Sequence, residues 1–351
     1  MNESTRAKRQ SQRVTADEVA RVLGVSQSTI SRAFTATASI SDEMRTRVMA
    51  TAAELGYQPN VIARSLMTRR TNIIAIVLPN LADPFYTVVL DELTQRLQPR
   101  GCQTLLFVPT PGQEVDEILP TLLQYQVDGI IITSATVSSA MARACAKRET
   151  PVVLLNRYVP GLEIHAVSCD NVAGGRQMAE FLLGQHHRRP AFVAGQLEAS
   201  TSMDRQSGFV GRLREDGVEC LIEQGGDHTY QAGFDAALRL MLRPDPPDAI
   251  FFASDIMAFG GMDALRSNGF IIPDDVSIAG FNGVPMAAWA SYDLTTIRHP
   301  FSHMADAVLE LLGFGETEVP QSPTTRLIHG ELMDRGSTMS RSPELKRLVR
   351  G

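Results

Sequence analysis

The chain has 351 residues, of which 44% are hydrophobic and 21% charged, a balance typical of two or three packed domains. No apolar run is long enough to cross a bilayer, and residues 1–13 lack the apolar core of a signal peptide, so we expect a cytoplasmic protein without membrane contact. The net charge of −6 is uneven, because residues 1–70 hold 11 lysines and arginines against 6 acidic residues and the rest hold 22 against 33, which favours attraction of phosphates to a basic head.

The first predicted helix is bounded by its capping residues. Thr15 and Glu18 match a capping box, and Gly24 is a typical residue for ending a helix. The spacing predicts a helix between these positions. Its inward face is expected to carry three apolar residues, namely Val19, Val22 and Leu23.

A second helix follows after a tight turn at residues 24–26. Ser26 is a good N-cap for a helix whose inward residues are Ile30, Ala33 and Phe34. Its outward face is polar and partly cationic, with Gln27, Ser28 and Arg32. Such a face suits entry into a DNA major groove about 12 Å wide. A merely solvated helical face is the alternative, and the cap, the turn and the basic flanks together favour the DNA-reading interpretation.

A third helix and a short segment complete the head. Ser41 opens the helix and Gly56 ends it, with an apolar side formed by Met44, Val48, Ala52 and Leu55. Asn60 can cap residues 61–66, which are too few to form a stable isolated helix. A basic linker follows, and at Asn72 the composition changes to an apolar strand, so we place a domain boundary there.

From Asn72 onward, predicted strands and helices alternate. The first set comprises residues 73–78, 85–97, 102–108, 114–125, 129–133, 137–148 and 152–155. The second set comprises residues 172–183, 191–194, 203–215, 230–242, 249–252, 256–267 and 276–279. This alternation predicts two α/β lobes with parallel sheets. A ligand should bind between them, outside the carboxyl ends of the strands.

Motifs for catalysis, cofactors and metals are absent from the sequence. There is no P-loop, no G-x-G-x-x-G after a strand and no G-x-S-x-G elbow. His299 and His303 are four residues apart, but Pro300 intervenes and a third ligand is lacking. The four cysteines, expected to be free thiols, are scattered at Cys102, Cys145, Cys169 and Cys220. We therefore predict neither a metal site, nor a cofactor, nor an enzyme.

Several motifs resemble the lactose-repressor (LacI/GalR) family. In the head they are VTADEVARVLGVSQSTISR at residues 14–32, LGYQPN at 55–60 and ARSL at 63–66. In the body they are DPFY at 83–86, RQSGF at 205–209, ASD at 253–255, IAGF at 278–281 and LTTI at 294–297. The resemblance implies an N-terminal all-α helix-turn-helix head and an α/β two-lobed periplasmic-binding-protein-like domain of two parallel-sheet sandwiches.

The resemblance also divides the chain. The expected parts are a flexible basic N-terminus (1–13), the helix-turn-helix domain (14–59), a hinge helix with linker (60–71), a first effector-binding lobe (72–169 and 299–322), a second lobe (170–298 and 323–335) and a tail (336–351). The tail lacks leucine heptads, so a homodimer without a tetramer-forming coiled coil is expected.

For the head, the resemblance implies a dimer on a double-stranded palindromic operator. The residues expected to read bases are Gln27, Ser28 and Arg32. Those expected to contact phosphates are Thr15, Ser26, Ser31 and Asn60. Those expected in the minor groove, on hinge helices paired across the dimer, are Ala63 and Leu66.

For the body, the resemblance implies an effector cleft. Its expected residues are Phe85, Tyr86, Asn156, Arg205, His228, Ser254, Asn282, His299 and Phe301. Arg205 is the foremost candidate, because a shielded guanidinium binds a hydroxyl, carboxylate or phosphate in fixed geometry; a surface ion pair is the alternative. Many sugar-binding relatives have aspartates where this chain has Asn156 and Asn282.

The missing carboxylates, together with nearby Arg157 and the two histidines, favour an anionic effector such as a sugar acid or sugar phosphate. Arg157 as a lobe-packing residue and the histidines as structural groups remain open alternatives. A purine effector stacked on aromatic rings is the second hypothesis. A solute-binding protein without a regulatory role is the third hypothesis, and the basic residues 1–70 disfavour it.

Overall fold

The computed structural model describes residues 14–34, 38–58, 70–110, 113, 115–133, 150–159, 161–196, 199–316 and 318–339. The predicted helix at 137–148, the hinge residues Asn60, Ala63 and Leu66, Cys145, and most of the tail lie outside these ranges. The chain divides into two compact units between Thr71 and Asn72, at the position where the sequence changes from a basic linker to an apolar strand.

The first unit contains three helices, α1 (Ala16–Leu23), α2 (Gln27–Ala33) and α3 (Asp42–Leu55). Thr15 and Glu18 form the predicted capping box, and the predicted caps also begin the other two helices. Gly24 and Gly56 end α1 and α3 in the left-handed conformation that glycine adopts without strain. All three predicted helices are thus confirmed, and their shared core is built on Val19, Ile30 and Val48.

Two residues expected in this core are exposed instead. Val22 is 64% exposed, because the buried stripe of α1 runs through Val19, Ala20 and Leu23 and leaves Val22 at its edge. Leu55 is 37% exposed. It is the last residue of a 14-residue helix packed on helices of 8 and 7 residues, which cover only part of its length.

The second unit alternates strands and helices. In chain order they are β1 (Ile73–Val77), α4 (Pro84–Leu97), β2 (Gln103–Phe107), α5 (Val115–Gln124), β3 (Gly129–Ile132), β4 (Val152–Leu155), β5 (His165–Cys169), α6 (Asn171–Gly184), β6 (Pro190–Ala194), α7 (Ser200–Glu215), β7 (Leu221–Gln224), α8 (Tyr230–Met241), β8 (Ala249–Phe252), α9 (Asp255–Ser267), β9 (Ser277–Asn282), β10 (Thr295–Arg298), α10 (Phe301–Leu311), β11 (Thr325–Ile328) and β12 (Glu331–Met333).

These strands form two sheets. The first has the order β11-β5-β4-β3-β1-β2 with parallel pairs throughout, and the second has the order β12-β10-β9-β8-β6-β7, parallel except at β12. Their central strands are buried along their whole length, as expected of parallel sheets covered by helices on both faces. The predicted two-lobed α/β architecture is confirmed.

The predicted lobe boundary at residue 323 is wrong. β11 pairs with β5 in the first sheet, whereas β12 pairs with β10 in the second. The last crossing between lobes therefore lies at His329 and Gly330. β11 alternates exposed and half-buried residues at a sheet edge, so it has no continuous apolar run that would mark it as a strand of either lobe.

Candidate functional site

The outward face of α2 exposes the three predicted base-reading residues, Gln27, Ser28 and Arg32. The Arg32 Nε donates to the Ser28 carbonyl at 3.3 Å, which holds the guanidinium along the helix. The Ser26 hydroxyl caps α2 by accepting from the Thr29 N–H at 3.3 Å and lies 2.7 Å from the Ser28 hydroxyl. The first turn of α2 is therefore ordered by its own side chains.

The predicted phosphate-contacting residues Thr15 and Ser31 are also exposed, so they are accessible to a backbone. A contact not anticipated from the sequence braces α2. Arg45 of α3 donates to the carbonyls of Ala33 at 2.8 Å and Ala38 at 3.2 Å. A cation at the carboxyl end of α2 stabilises the helix dipole and fixes α2 against α3.

All nine predicted effector residues lie at the carboxyl ends of strands. Phe85 and Tyr86 follow β1, Asn156 follows β4, Arg205 lies on α7 after β6, His228 follows β7, Ser254 follows β8, Asn282 ends β9, and His299 and Phe301 follow β10. This is the edge at which open α/β sheets bind ligands. The structure thus brings together side chains that are up to 216 positions apart.

Arg205 is the centre of this cluster and is 2% exposed. Its Nε donates to Asn171 Oδ1 at 2.8 Å, and its Nη1 donates to the Ala253 carbonyl at 2.5 Å. Its guanidinium carbon lies 3.8 Å above the Phe281 ring centroid, a cation–π arrangement. Burial lowers the pKa of Arg205 to about 10, so it stays charged at neutral pH. The surface ion pair considered from the sequence is wrong.

His299 has its tautomer fixed by Arg205. The Arg205 Nη2 lies 3.2 Å from His299 Nε2, and because arginine can only donate, Nε2 must accept and the proton resides on Nδ1. Burial, and then the charge of Arg205, lower the pKa of His299 well below its usual value. The ring is therefore neutral, with a buried Nδ1–H that has no partner among the described residues.

Aromatic rings enclose the same histidine. Its ring centroid lies 5.1 Å from Phe85 and 5.5 Å from both Phe281 and Phe301, and it is stacked on Phe301 at an interplanar angle of 28°. Phe85 comes from the first lobe, and Phe281 from a strand of the second sheet. The rings form an apolar wall on one side of the polar groups.

His228 is likewise neutral. Burial, followed by the charges of Arg205 and Arg157, lowers its pKa to about 3. Both histidines were expected to add to a cationic cleft, but the positive charge around His228 comes from Arg205 and Arg157. Arg157 is 9% exposed, and burial raises the pKa of the neighbouring Tyr86.

Buried carboxylates near the arginines are already engaged. Asp83 caps α4 by accepting from the Phe85 N–H at 2.9 Å, and burial raises its pKa. Asp255 accepts from the Thr296 hydroxyl at 2.6 Å and the Val284 N–H at 2.9 Å, and burial raises its pKa to about 6. Both carboxylates therefore already accept hydrogen bonds from the protein.

Polar atoms without partners concentrate in this cleft. Among the described residues seven side-chain polar atoms are buried and unbonded; one is His187 Nε2, and the six in the cleft are Asn156 Oδ1, Arg157 Nε, Ser200 Oγ, His228 Nε2, Ser254 Oγ and His299 Nδ1. Native proteins leave few such atoms, because each one costs about 1–3 kcal/mol. Arg157 Nε and His299 Nδ1 are fixed donors and Asn156 Oδ1 is a fixed acceptor, whereas the two serine hydroxyls can donate or accept.

Three contributing residues were not anticipated. Ser200 has no distinguishing sequence signal. Asn171 orients Arg205 and would have been found if β5, which ends two residues earlier, had been predicted. Tyr158 of the first lobe donates to Asp204 of the second at 2.8 Å. Within the described residues no group of three His, Cys, Asp or Glu could hold a metal ion, and no helix has the length and apolarity needed to cross a membrane.

Comparison with known proteins identifies both units. The family model of bacterial regulatory proteins of the lacI family matches residues 15–60, and the periplasmic binding protein-like domain matches residues 179–338. The HTH-type transcriptional regulator CelR of Thermobifida fusca is 30% identical over 93% of this chain and 98% of the relative. The HTH-type transcriptional repressor CytR of Escherichia coli strain K12 is 29% identical over 95% and 98%.

Solved structures agree with this assignment. The transcriptional regulator CelR in complex with cellobiose has a TM-score of 0.67 at 30% identity, covering 93% of this chain and 100% of that chain. The Lac repressor dimer bound to operator and the anti-inducer ONPF shares the fold, with a TM-score of 0.82 at 24% identity over 94% and 100%. The chain therefore belongs to the LacI family of bacterial regulatory proteins and is a DNA-binding transcriptional regulator, not an enzyme.

Proposed function

We propose that this regulator is a homodimeric repressor of a catabolic or transport operon, controlled by a sugar acid or sugar phosphate. The observation that carries the effector class is the set of buried, unbonded polar atoms around Arg157 and Arg205. Polar groups beside two cations suit hydroxyls and a negatively charged group, and positions 156 and 282 hold neutral asparagines that cannot repel such a charge.

On the DNA side, Gln27, Ser28 and Arg32 are the proposed base readers, because they share the exposed face of a capped helix. Thr15, Ser26, Ser31 and Asn60 are the proposed phosphate contacts, and Ala63 and Leu66 the proposed minor-groove contacts. The proposal that the protein represses is supported by its similarity to the repressor CytR.

A purine is the second candidate effector, and the rings of Phe85, His299 and Phe301 favour it. These rings already pack on one another, whereas the unbonded polar atoms have no such partners, so we give the anionic sugar priority. The similarity to CelR bound to cellobiose favours carbohydrate chemistry in general.

The test begins with selection of operator duplexes by the purified protein, with and without a ligand panel. The panel contains neutral sugars, aldonates, sugar phosphates and purines, each then titrated by calorimetry. We expect a palindrome to be enriched and an anionic sugar to bind and change operator affinity. Tight binding of neutral sugars alone, or of a purine alone, would overturn the effector class. Equal binding of the palindrome and random duplex would overturn the operator function.

A further inference from the structure

The start of α7 has no side-chain cap, as is also true of α9 and α10 in the second unit. α4, α6 and α8 each begin at a residue whose side chain accepts a first-turn N–H, namely Asp83, Asp170 and Thr229. α7, with 16 residues, begins after Ala199, which makes no capping bond, and its first turn has no acidic residue. The first N–H groups of a helix have no partner within it, and they form the positive end of its dipole.

Two buried hydroxyls at this edge also lack partners. Ser200, the first residue of α7, is 6% exposed, and Ser254, at the start of α9, is 1% exposed. Both Oγ atoms are buried and unbonded among the described residues, and Ser254 does not cap its own helix. Serine at an N-cap normally uses its hydroxyl for the cap, but Ser254 does not, and Ser200 lies one position after the N-cap Ala199, so both hydroxyls remain available to a ligand.

The topology places both helix starts in one crevice. β6 and β8 are adjacent parallel strands; α7 follows β6 and packs on α6, whereas α9 follows β8 and packs on α8. Helices that leave neighbouring strands toward opposite faces open a crevice at the carboxyl ends of those strands. Ligands of doubly wound sheets bind in such a crevice.

Several contacts connect the starts of α7 and α9 to the cleft. The Gly195 N–H donates to Ser202 Oγ at 3.0 Å, and a Cβ at position 195 would lie 2.2 Å from His228 Nε2. Only glycine therefore lets His228 approach the first turn of α7. Arg205, on the same helix, bonds the carbonyl of Ala253, directly before Ser254.

The charges around this crevice favour an anion. Arg205 and Arg157 are both close enough to His228 to lower its pKa, although burial is the larger cause. The Asp255 carboxylate at the start of α9 is held by Thr296 and Val284. On α7 itself, the Asp204 carboxylate accepts from Tyr158 of the other lobe, and burial raises its pKa.

We infer, on the basis of the proposed function, that the negatively charged oxygens of the effector bind at the start of α7. They accept from the N–H groups of Ser200 and Thr201 and from the hydroxyls of Ser200 and Ser254, as helix N-termini commonly bind phosphate or carboxylate. Arg205 and His299 then face the hydroxylated remainder of the molecule. A carboxylate and a phosphate share this chemistry.

The test measures the melting temperature of the intact protein in inorganic phosphate, in acetate and in chloride at equal ionic strength. We expect phosphate, acetate or both to raise the wild-type melting temperature relative to chloride. The anion with the larger effect indicates whether the effector carries a phosphate or a carboxylate. Ser200→Ala should lower the affinity for the more stabilising anion about tenfold, because a hydrogen bond to a charged group is stronger than one between neutral groups.

Ser200→Asp supplies an internal carboxylate at the same position. It should raise the melting temperature in chloride and abolish any further rise with the added anion. Val172→Asp is the matched control, since it adds the same charge to the first turn of α6 at a side chain that is 40% exposed; this variant should keep the wild-type anion response.

An anion response that is identical in wild type, Ser200→Ala and Ser200→Asp overturns the site, and so does the absence of a response to both anions in wild type. If Ser200→Asp fails to fold, Ser200→Ala still decides the question. Operator binding is measured separately by fluorescence anisotropy. Loss of the anion site with intact operator binding refutes only the subsite, whereas absent operator preference with an intact anion response refutes only the proposed function.

Discussion

The proposed DNA-reading face of α2 and the proposed effector cleft are both polar, but their polar groups lie in opposite environments. On α2 the polar side chains are exposed to water and close in sequence, and the caps satisfy the first turn. In the cleft the polar atoms are buried, and several have no protein partner. The difference predicts that substitutions on α2 change recognition without changing stability, whereas substitutions in the cleft change both.

Arg205→Ala should give the largest effect. It removes the guanidinium and leaves Asn171 Oδ1 and the Ala253 carbonyl buried without their donor. We expect a loss of roughly 3 kcal/mol in the free energy of unfolding, together with loss of effector binding. Urea denaturation can be followed through Trp289, the single tryptophan, which lies in the second unit.

Arg212→Ala is the matched control on the same helix. Arg212 pairs with carboxylates that are about half exposed, Glu180 and Asp216, and such solvent-screened pairs add little to stability. Equal destabilisation by the two substitutions would contradict the buried role assigned to Arg205. The cleft would then not differ from an exposed face in its effect on stability.

Arg32→Ala tests the outward face of α2. The side chain is exposed and makes one bond to its own helix, so the unfolding free energy should change by less than about 0.5 kcal/mol. Affinity for the selected operator should fall about tenfold to a hundredfold, as for loss of a bidentate contact to guanine. Fluorescence anisotropy with operator and random duplex measures this effect.

The control is Arg47→Ala, an exposed arginine of α3. Both substitutions remove one positive charge, but only Arg32→Ala should reduce the preference for operator over random duplex. An equal loss on both duplexes in Arg32→Ala would identify a phosphate contact instead of a base contact.

The pH dependence should also separate the two units. The first 71 residues contain no histidine, whereas in the second unit burial lowers the pKa of His228 to about 3 and that of His299 well below its usual value. Below pH 6.5 the unfolded chain binds protons that the folded chain does not. The stability contribution is therefore complete above pH 6.5 and is lost as the pH falls.

Between pH 7 and pH 6 each buried histidine should remove roughly 0.7 kcal/mol of stability. Burial raises the pKa of Asp255 to about 6, so protonation of this carboxyl increases the stability of the folded state as the pH falls. The test is therefore the difference in unfolding free energy between wild type and His228→Asn, measured in denaturant titrations at these two pH values. Parallel pH profiles of the two proteins would contradict a neutral, buried His228.

The head could be predicted from the sequence because its signals are local. Thr15, Ser26 and Ser41 each cap a helix that begins at the next residue, so neighbouring residues alone determine the elements. The errors at Val22 and Leu55 concern which part of each helix is covered by another. That depends on packing between helices, which periodicity describes only approximately.

The cleft could be predicted only in part. The residues that follow strands were identified, but their chemistry depends on partners far away in the sequence. The tautomer of His299 is set by Arg205, 94 positions away, and the neutrality of His228 is set chiefly by burial. Neither property can be read from the neighbouring residues in the sequence, so the expected positive charge of the cleft was too high.

Tyr158→Phe should give the smallest effect and tests whether closure of the lobes is coupled to binding. The Tyr158 hydroxyl donates across the cleft to Asp204, and burial raises the pKa of Tyr158 to about 12. Removing the bond should weaken effector binding about fivefold, since a single hydrogen bond contributes about 1 kcal/mol. Operator affinity without effector should stay the same. A double-mutant cycle with Asp204→Asn, read by calorimetry, should show that the second substitution adds little; fully additive losses would mean that the two side chains act independently and that the closed cleft depends on the ligand contacts alone.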